Sequence, residues 1–298
     1  MFETTDPESI VWSGDPSELR TVAVAVAREA AAHARTRRAE LFGPGHGSAA
    51  GDGTVRTKST ATDPVTVADT ESEELIRGRL SEVRPGDAFL GEESGGEETT
   101  GPGDTRVCWV VDPIDGTVNF VYGIPASAVS VAAQVAGQSV AGAVVDIATG
   151  DTYSAALGQG ATLTTGGGVV TQLRCNPVTD LGLALVATGF SYSPGRRARQ
   201  GSLVAALLPR VRDIRRIGAA ALDLCMVASG RVDAHYEHGL NPWDWAAGAL
   251  IAAEAGASVR VPRGFGGEGE ITVAAAPGVA VALDELLVEI GADAALPD

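Results

Sequence analysis

The stretch Trp109-Val110-Val111-Asp112-Pro113-Ile114-Asp115-Gly116-Thr117-Val118-Asn119-Phe120 joins an apolar run to two aspartates and a Gly-Thr pair. The apolar, β-branched run predicts a buried strand that ends at Val111, and the Gly-Thr pair marks a turn into a helix. Carboxylates at a strand end repel each other unless a cation lies between them, and oxygen ligands suit a hard cation such as Mg²⁺. Because N–H groups at such a turn suit a phosphate, the stretch indicates metal-assisted hydrolysis of a phosphoester.

The composition is that of an acidic globular protein. The chain has 298 residues, enough for one large domain or two lobes, and a formal net charge of −16. That charge argues against nucleic acid or an anionic membrane as the main partner, and it suits an anionic substrate only where bound cations invert the local field. Residues Met1 to Asp15 hold no apolar run, so we expect no signal peptide and a cytoplasmic location. The three cysteines are odd in number and widely spaced, which predicts reduced thiols.

One segment has the length of a membrane span. Ala126 to Val145 carries no formal charge, but Gly137-Gln138 lies midway between two valine-rich runs. A central turn between two β-branched runs is typical of a hairpin. We therefore predict a buried β-hairpin there, and no membrane partner.

The rest of the chain predicts helices and strands in two different arrangements. Up to residue 156, long helices precede a run of strands, whereas from Leu181 short strands alternate with helical stretches as in an α/β lobe. The Gly158–Gly168 segment reads as turns. The predicted elements are helices at 18–41, within 63–80, and at 200–211, 219–229 and 242–256, and strands at 88–90, 107–111, 127–156 and 233–236.

Several other acids are ambiguous from local sequence. Glu92 and Glu93 follow a short strand, where such pairs are usually solvated. Asp244 stands between two tryptophans at a helix start, where it can complement the helix dipole or need a buried partner. Asp69 with Thr66 reads at least as well as a capping pair, and Glu237, which follows the strand predicted to end at Tyr236, reads as surface. The four histidines show no metal-ligand spacing.

Five motifs, in order over about residues 18 to 260, make the chain resemble the inositol monophosphatase family of Mg²⁺-dependent, Li⁺-sensitive phosphatases, and its actinobacterial inositol-1-monophosphatase branch in particular. The motifs are Asp63-Pro64-Val65-Thr66-Val67-Ala68-Asp69, Gly91-Glu92-Glu93-Ser94, Trp109 to Phe120 with its extension to Val131, Arg216 to Cys225, and Trp243-Asp244 running to Glu254-Ala255-Gly256.

The resemblance implies the fold. It implies a layered α/β/α/β/α sandwich of the sugar-phosphatase type, with mixed α+β and α/β character. One domain would span residues 1–298, with an N-terminal α+β half at 1–175 and a C-terminal α/β half at 176–298. It also implies a homodimer.

The resemblance also implies a site for two to three Mg²⁺ ions. Glu92, Asp112 and the carbonyl of Ile114 would hold the first ion, Asp112, Asp115 and Asp244 the second, and a weaker third would sit near Glu92. Two such ions can clamp the attacking and leaving oxygens of a phosphoester.

Catalytic and substrate contacts follow from the same resemblance. Thr117, oriented by Asp69, would position the attacking water, with Glu92 completing the catalytic set. The N–H groups of Gly116 and Thr117 would bind phosphate, and Lys58 would lie on a loop near the site. The polyol would meet a further set of residues: Asp115, Ala220, Glu237 and Asp244.

Two departures from the family pattern bear on the substrate. Ala219 stands where relatives usually carry a small hydroxyl residue, which removes a polar contact. A Gly-rich insertion at 43–53 precedes Lys58 and lengthens the loop there.

Three functions remain open from the sequence. The first is hydrolysis of inositol 1-phosphate to myo-inositol. The second is a sister phosphatase for histidinol phosphate, fructose 1,6-bisphosphate or a 3′-phosphoadenosine compound, although Val118-Asn119-Phe120 replaces the Lys-Glu-Phe usual in the nucleotide-directed group. The third is a non-enzymatic regulatory protein that binds another protein; the full set of carboxylates argues against binding alone.

Overall fold

A computed structural model describes residues 12–43, 55–57, 64–96, 105–262 and 269–297. The predictions for Asp63, for Lys58 and for the insertion after Gly43 lie outside these residues. Within the described ranges, short 3₁₀ turns cover Leu181–Leu183 and Leu208–Arg210. The helices are α1 (Pro16–Phe42), α2 (Val67–Val83), α3 (Thr117–Tyr122), α4 (Pro194–Leu207), α5 (Ala220–Ala228), α6 (Pro242–Glu254) and α7 (Ala280–Glu289).

The strands of the described residues form one large sheet, one smaller sheet and a two-stranded ribbon. The ribbon consists of β1 (Val55–Thr57) and β2 (Pro64–Thr66). The large sheet contains β3 (Ala88–Gly91), β4 (Gly95–Gly96), β5 (Val107–Asp115), β6 (Ala128–Val135), β7 (Gln138–Asp146), β8 (Thr152–Ala156), β9 (Ala161–Thr164) and β10 (Val170–Gln172). The smaller sheet contains β11 (Leu185–Thr188), β12 (Asp213–Arg215), β13 (Ala234–His238), β14 (Ser258–Arg260) and β15 (Ile271–Ala275).

The large sheet has the order β10-β9-β8-β7-β6-β5-β3-β4 and is covered on both faces. Alternate residues of a strand point to opposite faces. Trp109 and Val111 of β5 accordingly pack in one core cluster with residues of α1 and α2, such as Ala27 and Ile76. Cys108 and Val110 lie in a different cluster, with residues of α5 and α6. Because both faces are covered, β5 is buried along its whole length.

The smaller sheet has the order β12-β11-β13-β15-β14 and completes the layers. Ala187 and Ala274 face the cluster formed with α5 and α6. Val186 and Val273 face the opposite cluster, to which Leu207 of α4 and Leu283 of α7 belong. The layers are thus α1/α2, the large sheet, α5/α6, the smaller sheet and α4/α7, and the predicted α/β/α/β/α sandwich is confirmed.

The predicted hairpin is also confirmed, since β6 and β7 pair in antiparallel register around Ala136-Gly137. Among the residues that the structure describes, no helix combines the length and apolar character needed to cross a bilayer. Two of the three cysteines are buried, and all three are free thiols. The division into halves at residue 175 falls between β10 and β11 and stays a prediction.

Three predicted boundaries and one segment predicted as turns are corrected. Helix α4 begins at Pro194, six positions before the predicted start, because a proline is well suited to the first turn. A strand, β9, lies inside the 158–168 segment, paired with β8. Strand β13 extends to His238 and therefore contains Glu237. Strand β5 continues to Asp115, with its register to β6 shifting between Asp112 and Asp115, where Pro113 lacks an N–H for the ladder.

Candidate active site

A cleft lies where the end of β5 meets the starts of α5 and α6. Its volume is about 220 Å³, below the 300–1,000 Å³ common for sites of drug-sized ligands, so it suits a small ligand. Most of the residues predicted for the site line this cleft. They are Glu92, Asp112, Ile114, Asp115, Gly116, Thr117, Ala220, Glu237 and Asp244.

Asp112 is the central acid of the cleft. Its side chain is buried, and its Oδ1 accepts a hydrogen bond from the N–H of Ile114 at 2.9 Å. Burial raises the pKa of Asp112 well above its usual value, and the charges of Glu92, Asp115 and Asp244 raise it further. Four carboxylates therefore lie near enough to oppose one another's ionisation.

Asp115 is held by the first turn of α5. Its two carboxylate oxygens accept hydrogen bonds from the N–H groups of Ala220 at 3.2 Å and Ala221 at 2.8 Å. These helix-start donors lack acceptors within the helix and favour a negative charge. Burial nevertheless raises the pKa of Asp115 to about 7, against the lowering effect of these hydrogen bonds.

Gly116 turns the chain from β5 into α3. Its φ of +83° lies in the left-handed region, where glycine carries no steric penalty. A Cβ there would also come within 2.9 Å of the carbonyl oxygen of Ala126 and 3.0 Å of that of Gly218. The close approach brings the turn against the segment that precedes α5.

Asp244 occupies the third position of α6, and its Oδ2 accepts a hydrogen bond from the N–H of Asn241 at 2.7 Å as part of a capping box. Burial, then the charges of Glu92 and Asp115, raise its pKa well above the usual range. Asp244 is thus both a capping residue and a member of the acidic group.

Asp69 lies behind the cleft and contacts Thr117. It caps α2, with Oδ2 accepting hydrogen bonds from the N–H and the hydroxyl of Thr66. Its other oxygen lies 3.2 Å from the Thr117 hydroxyl, which also lies 3.1 Å from the carbonyl oxygen of Ile114. Burial raises the pKa of Asp69 to about 7. The capping and functional interpretations of Asp69 are therefore compatible.

Glu73 is a supporting residue that the sequence analysis missed. It is buried on α2, one turn after Asp69, and accepts hydrogen bonds from the N–H groups of Glu93 and Ser94, each at 2.9 Å. A Cβ on Gly91 would lie 2.3 Å from the Glu73 carboxylate, so Gly91 makes room for it. Glu73 thereby fixes the turn that carries Glu92. Its spacing from Asp69 and Ile76 on one helix face was the available signal.

Glu237 points into the cleft from β13. A Cβ on Gly189, at the end of neighbouring β11, would lie 2.0 Å from Glu237 Oε2, so the carboxylate occupies the space that this glycine leaves. Burial raises the pKa of Glu237 to about 7, while the charge of Arg216, another residue of the cleft wall, lowers it. Ala219, the departure noted in the sequence, also lines the cleft.

A second group of ionisable residues lies behind Glu237. An oxygen of Asp223, a nitrogen of His235 and an oxygen of Glu237 all lie within 4.8 Å of one another. The local sequence shows no partner for His235, because its neighbour Asp223 comes from a different element. Alternation along the strand, which places residues 235 and 237 on one face, was the available signal.

The acidic group of the cleft fits a hard divalent cation. Its donors are carboxylate and carbonyl oxygens, the set preferred by Mg²⁺ and Ca²⁺. Burial and mutual repulsion raise the pKa of Asp112 and Asp244, and a cation offsets both effects. The structure therefore places an oxygen-rich, electrostatically strained group at the cleft floor.

The chain matches the model of the inositol monophosphatase family over residues 15–292. An inositol-1-monophosphatase of Mycobacterium leprae (strain TN) is 62% identical over 276 residues, which span 92% of this chain and 94% of the relative. A Nus factor SuhB of Vibrio cholerae is 39% identical over 204 residues, 68% of this chain and 73% of the relative. The solved structure of Mycobacterium tuberculosis SuhB is similar with a TM-score of 0.78 and 52% identity, covering 93% of this chain and 98% of the other.

Proposed function

The chain belongs to the inositol monophosphatase family and is a phosphoric monoester hydrolase, and from this premise we propose that it releases phosphate from inositol 1-phosphate in a Mg²⁺-dependent reaction. The observation that carries the proposal is the meeting of Asp112, Asp115, Asp244 and Glu92 with Glu237 in one small cleft. The first four acids supply oxygen ligands for a cation, and Glu237 supplies a hydrogen-bond acceptor for polyol hydroxyls.

We propose that the metal ligands are Glu92, Asp112, the Ile114 carbonyl, Asp115 and Asp244, with two to three Mg²⁺ ions. When bound, Mg²⁺ supplies Lewis-acid stabilisation of the phosphoryl oxygens and lowers the pKa of water. The hydrogen bonds from α5 to Asp115 and from Asn241 to Asp244 orient these carboxylates before any cation arrives. Such pre-orientation reduces the entropy lost on binding.

Thr117 and Asp69 would position the attacking water. The single hydroxyl proton of Thr117 is shared between Asp69 Oδ1 and the Ile114 carbonyl oxygen, so the lone pairs of Oγ1 remain free to accept a hydrogen bond. A proton that reaches Oγ1 from the water can pass to Asp69, whose raised pKa makes it a fitting acceptor near neutral pH. Glu92, held at the same floor, completes the catalytic set.

Backbone and side-chain groups would hold the substrate. The N–H groups of Gly116 and Thr117, at the turn that opens α3, suit the phosphate oxygens. Glu237 and the segment at Ala220 would face the polyol, with Asp115 and Asp244 at its phosphate-bearing end. Ala219 offers no hydroxyl there, so orientation of the polyol falls mainly to Glu237.

The first experiment measures phosphate release from inositol 1-phosphate with and without Mg²⁺, and then with millimolar Li⁺ added. Mg²⁺-dependent, Li⁺-inhibited release would support both the metal site and the substrate. Comparing kcat/KM across histidinol phosphate and fructose 1,6-bisphosphate tests the substrate separately. A higher value for either would keep the mechanism and replace the substrate.

A second candidate function is regulatory binding of a protein. The relative from Vibrio cholerae is named a Nus factor, which favours this role independently of catalysis. A pull-down partner that is retained by the Asp112→Asn and Asp244→Asn variants would support it. Loss of the partner in both variants would tie binding to the metal site instead.

The homodimer and the cytoplasmic location stay predictions that rest on the resemblance and on the sequence of the first residues. Sedimentation equilibrium of the purified chain tests the first. Fractionation of cells that express the full chain tests the second.

A further inference from the structure

We propose that Asp223 and His235 are positioning residues that hold the Glu237 carboxylate toward the polyol and so set the preference for polyol phosphates over other monoesters. The inference rests on the proposed function, because it assigns Glu237 to the polyol. Neither Asp223 nor His235 lines the cleft. Both would act only through Glu237.

The three residues form a compact buried cluster, in which an oxygen of Asp223, a nitrogen of His235 and an oxygen of Glu237 lie within 4.8 Å of one another. His235 and Glu237 lie on the same face of β13, two positions apart, and Asp223 comes from α5. His235 Nδ1 lies 4.0 Å from Asp223 Oδ2, and His235 Nε2 lies 3.9 Å from Glu237 Oε2. Each carboxyl group therefore approaches a different ring nitrogen, and the two carboxyl groups also lie close to each other.

Burial leaves these residues with few other partners. The His235 side chain is 0% exposed and that of Asp223 is 1% exposed. Among the described residues, neither ring nitrogen of His235 and neither carboxyl oxygen of Asp223 has a hydrogen-bond partner. Leaving such groups unpaired is costly, so closing each gap by about 1 Å, or bridging it with a water, is favoured.

The protonation states decide which of these groups donate hydrogen bonds and which accept them. Burial lowers the pKa of His235 to about 3, so the ring is neutral, with one donor and one acceptor nitrogen. Burial raises the pKa of Asp223 well above its usual value, which favours the protonated form of its carboxyl group. A protonated Asp223 would donate to Nδ1 once the 4.0 Å gap closes, and Nε2–H would then donate toward Glu237 across the 3.9 Å gap. The second oxygen of Glu237 remains free to accept from a substrate hydroxyl.

Gly189 closes the other side of Glu237. A Cβ at residue 189 would lie about 2 Å from both carboxylate oxygens, so the carboxylate rests against this backbone. With Gly189 against the carboxylate and His235 3.9 Å away, Glu237 has little room to rotate. Removing the ring nitrogens would leave its carboxylate free on one side and reduce its preorganisation for a polyol.

A transition metal held by the same three residues is the competing interpretation. His235 Nδ1 lies 4.0 Å from Asp223 Oδ2 and His235 Nε2 lies 3.9 Å from Glu237 Oε2, wider than the roughly 3.4 Å between two ligands of a tetrahedral zinc ion. These wider spacings favour the positioning role instead.

The test compares two substrates in the His235→Phe and Asp223→Asn variants. Inositol 1-phosphate carries polyol hydroxyls, whereas p-nitrophenyl phosphate does not. For His235→Phe we expect KM for inositol 1-phosphate to rise about tenfold, as for loss of a hydrogen bond to a charged group, with kcat and KM for p-nitrophenyl phosphate unchanged. Asp223→Asn should give a smaller change of the same kind, and His235→Gln, which keeps a donor, should restore part of the loss.

Several outcomes would overturn the inference. Equal losses on both substrates in folded variants would mean that His235 is structural. A metal site would be established instead if the Asp112→Asn variant binds one Zn²⁺ ion in excess Mg²⁺ and the Asp112→Asn/His235→Phe double variant binds none. If wild type hydrolyses neither substrate, the proposed function fails. ¹⁵N NMR of the His235 ring in the wild-type protein still tests the hydrogen-bond arrangement. A neutral ring protonated at Nε2 supports it, and any other protonation state contradicts it.

Discussion

At the scale of single residues, the central feature of the cleft is Asp112, a buried acid whose charge is unfavourable without a nearby cation. Asp112 is only 2% exposed and lies near three other carboxylates, which with burial raise its pKa. An isolated buried carboxylate is strongly unfavourable, so its position in the fold is sustained by function rather than by stability.

Asp112→Asn tests this directly. We expect turnover to fall at least a hundredfold, because a ligand to the metal is lost, while the melting temperature of the metal-free protein stays equal or rises as repulsion is relieved. Phosphate release and thermal unfolding in EDTA are the measurements. Asp293→Asn, at an exposed acid, is the control and should change neither. Activity of Asp112→Asn within tenfold of wild type would refute the metal assignment.

Which residues the sequence could predict depended on how local their environment is. Asp112 and Asp115 follow a buried strand directly, so their burial was visible in the chain itself. Glu73 was missed because an acid in a helix usually faces water, and its donors at Glu93 and Ser94 lie 20 and 21 positions away. His235 was missed because its neighbour Asp223 is brought to it only by the packing of α5 on β13.

At the scale of elements, α2 supports the turn that carries Glu92. The Glu73 carboxylate accepts two backbone hydrogen bonds from this turn. An amide at this position keeps the volume but removes one acceptor and adds donors.

Glu73→Gln should therefore lower the free energy of unfolding by about 1–3 kcal/mol and weaken Mg²⁺ binding. Urea titrations and Mg²⁺ titrations of activity are the measurements. Glu74→Gln, on the exposed side of the same helix, is the matched control and should leave both unchanged. A loss of stability with unchanged Mg²⁺ affinity would separate Glu73 from the site.

Helix α6 reaches the end of β5 because small residues lie beneath it. A Cβ on Gly142 of β7 would come within 3.0 Å of Ala247 Cα, and one on Gly248 within 2.8 Å of Leu224 Cβ. These approaches set the position of Asp244, four residues before Gly248. The depth at which α6 docks is thus coupled to the geometry of the cleft.

Gly142→Val should push α6 outward, costing about 1–3 kcal/mol of stability from overpacking and lowering kcat through Asp244. Urea unfolding and phosphate release check the two effects. Gly201→Ala, at an exposed helical position with open space around it, is the control and should stabilise by about 0.4–1 kcal/mol. Full activity in Gly142→Val would show that Asp244 does not depend on this contact.

At the scale of the whole molecule, an acidic chain concentrates buried acids at one place. The formal net charge is −16, and burial raises the pKa of Asp69 and of Asp115 to about 7. In the unfolded chain these groups lose their protons near pH 4. Between about pH 4 and pH 7 the folded state binds more protons than the unfolded state, so the contribution of these acids to stability falls as pH rises.

The metal-free protein should therefore lose stability between about pH 4 and pH 7, and Mg²⁺, which binds the ionised acids, should reduce or reverse that loss. Thermal unfolding across this range in EDTA and in Mg²⁺ is the measurement. The Asp115→Asn variant in EDTA should show a shallower decline. A wild-type melting temperature that rises with pH in EDTA would contradict the prediction.

The sequence predicted the presence of most helices and strands more reliably than the residues at which the strands end. Periodicity identified most of the strands and helices, but Glu237 was placed outside β13, and β5 was ended at Val111, because pairing across the sheet extends a strand beyond its apolar run. The cleft is lined by residues from both extended ends, where local sequence signals are weakest.

The two hydrogen bonds that hold Asp115 also have a consequence for synthesis. They join a strand to a helix start 105 and 106 positions further along the chain, and Asp244 comes later still. A ribosome must therefore release α5 and α6 before the acids can gather around a cation. Until then the nascent chain lacks Asp244 and the two N–H groups that hold Asp115, so the proposed site is incomplete. The onset of activity should therefore report that both sheets have come together.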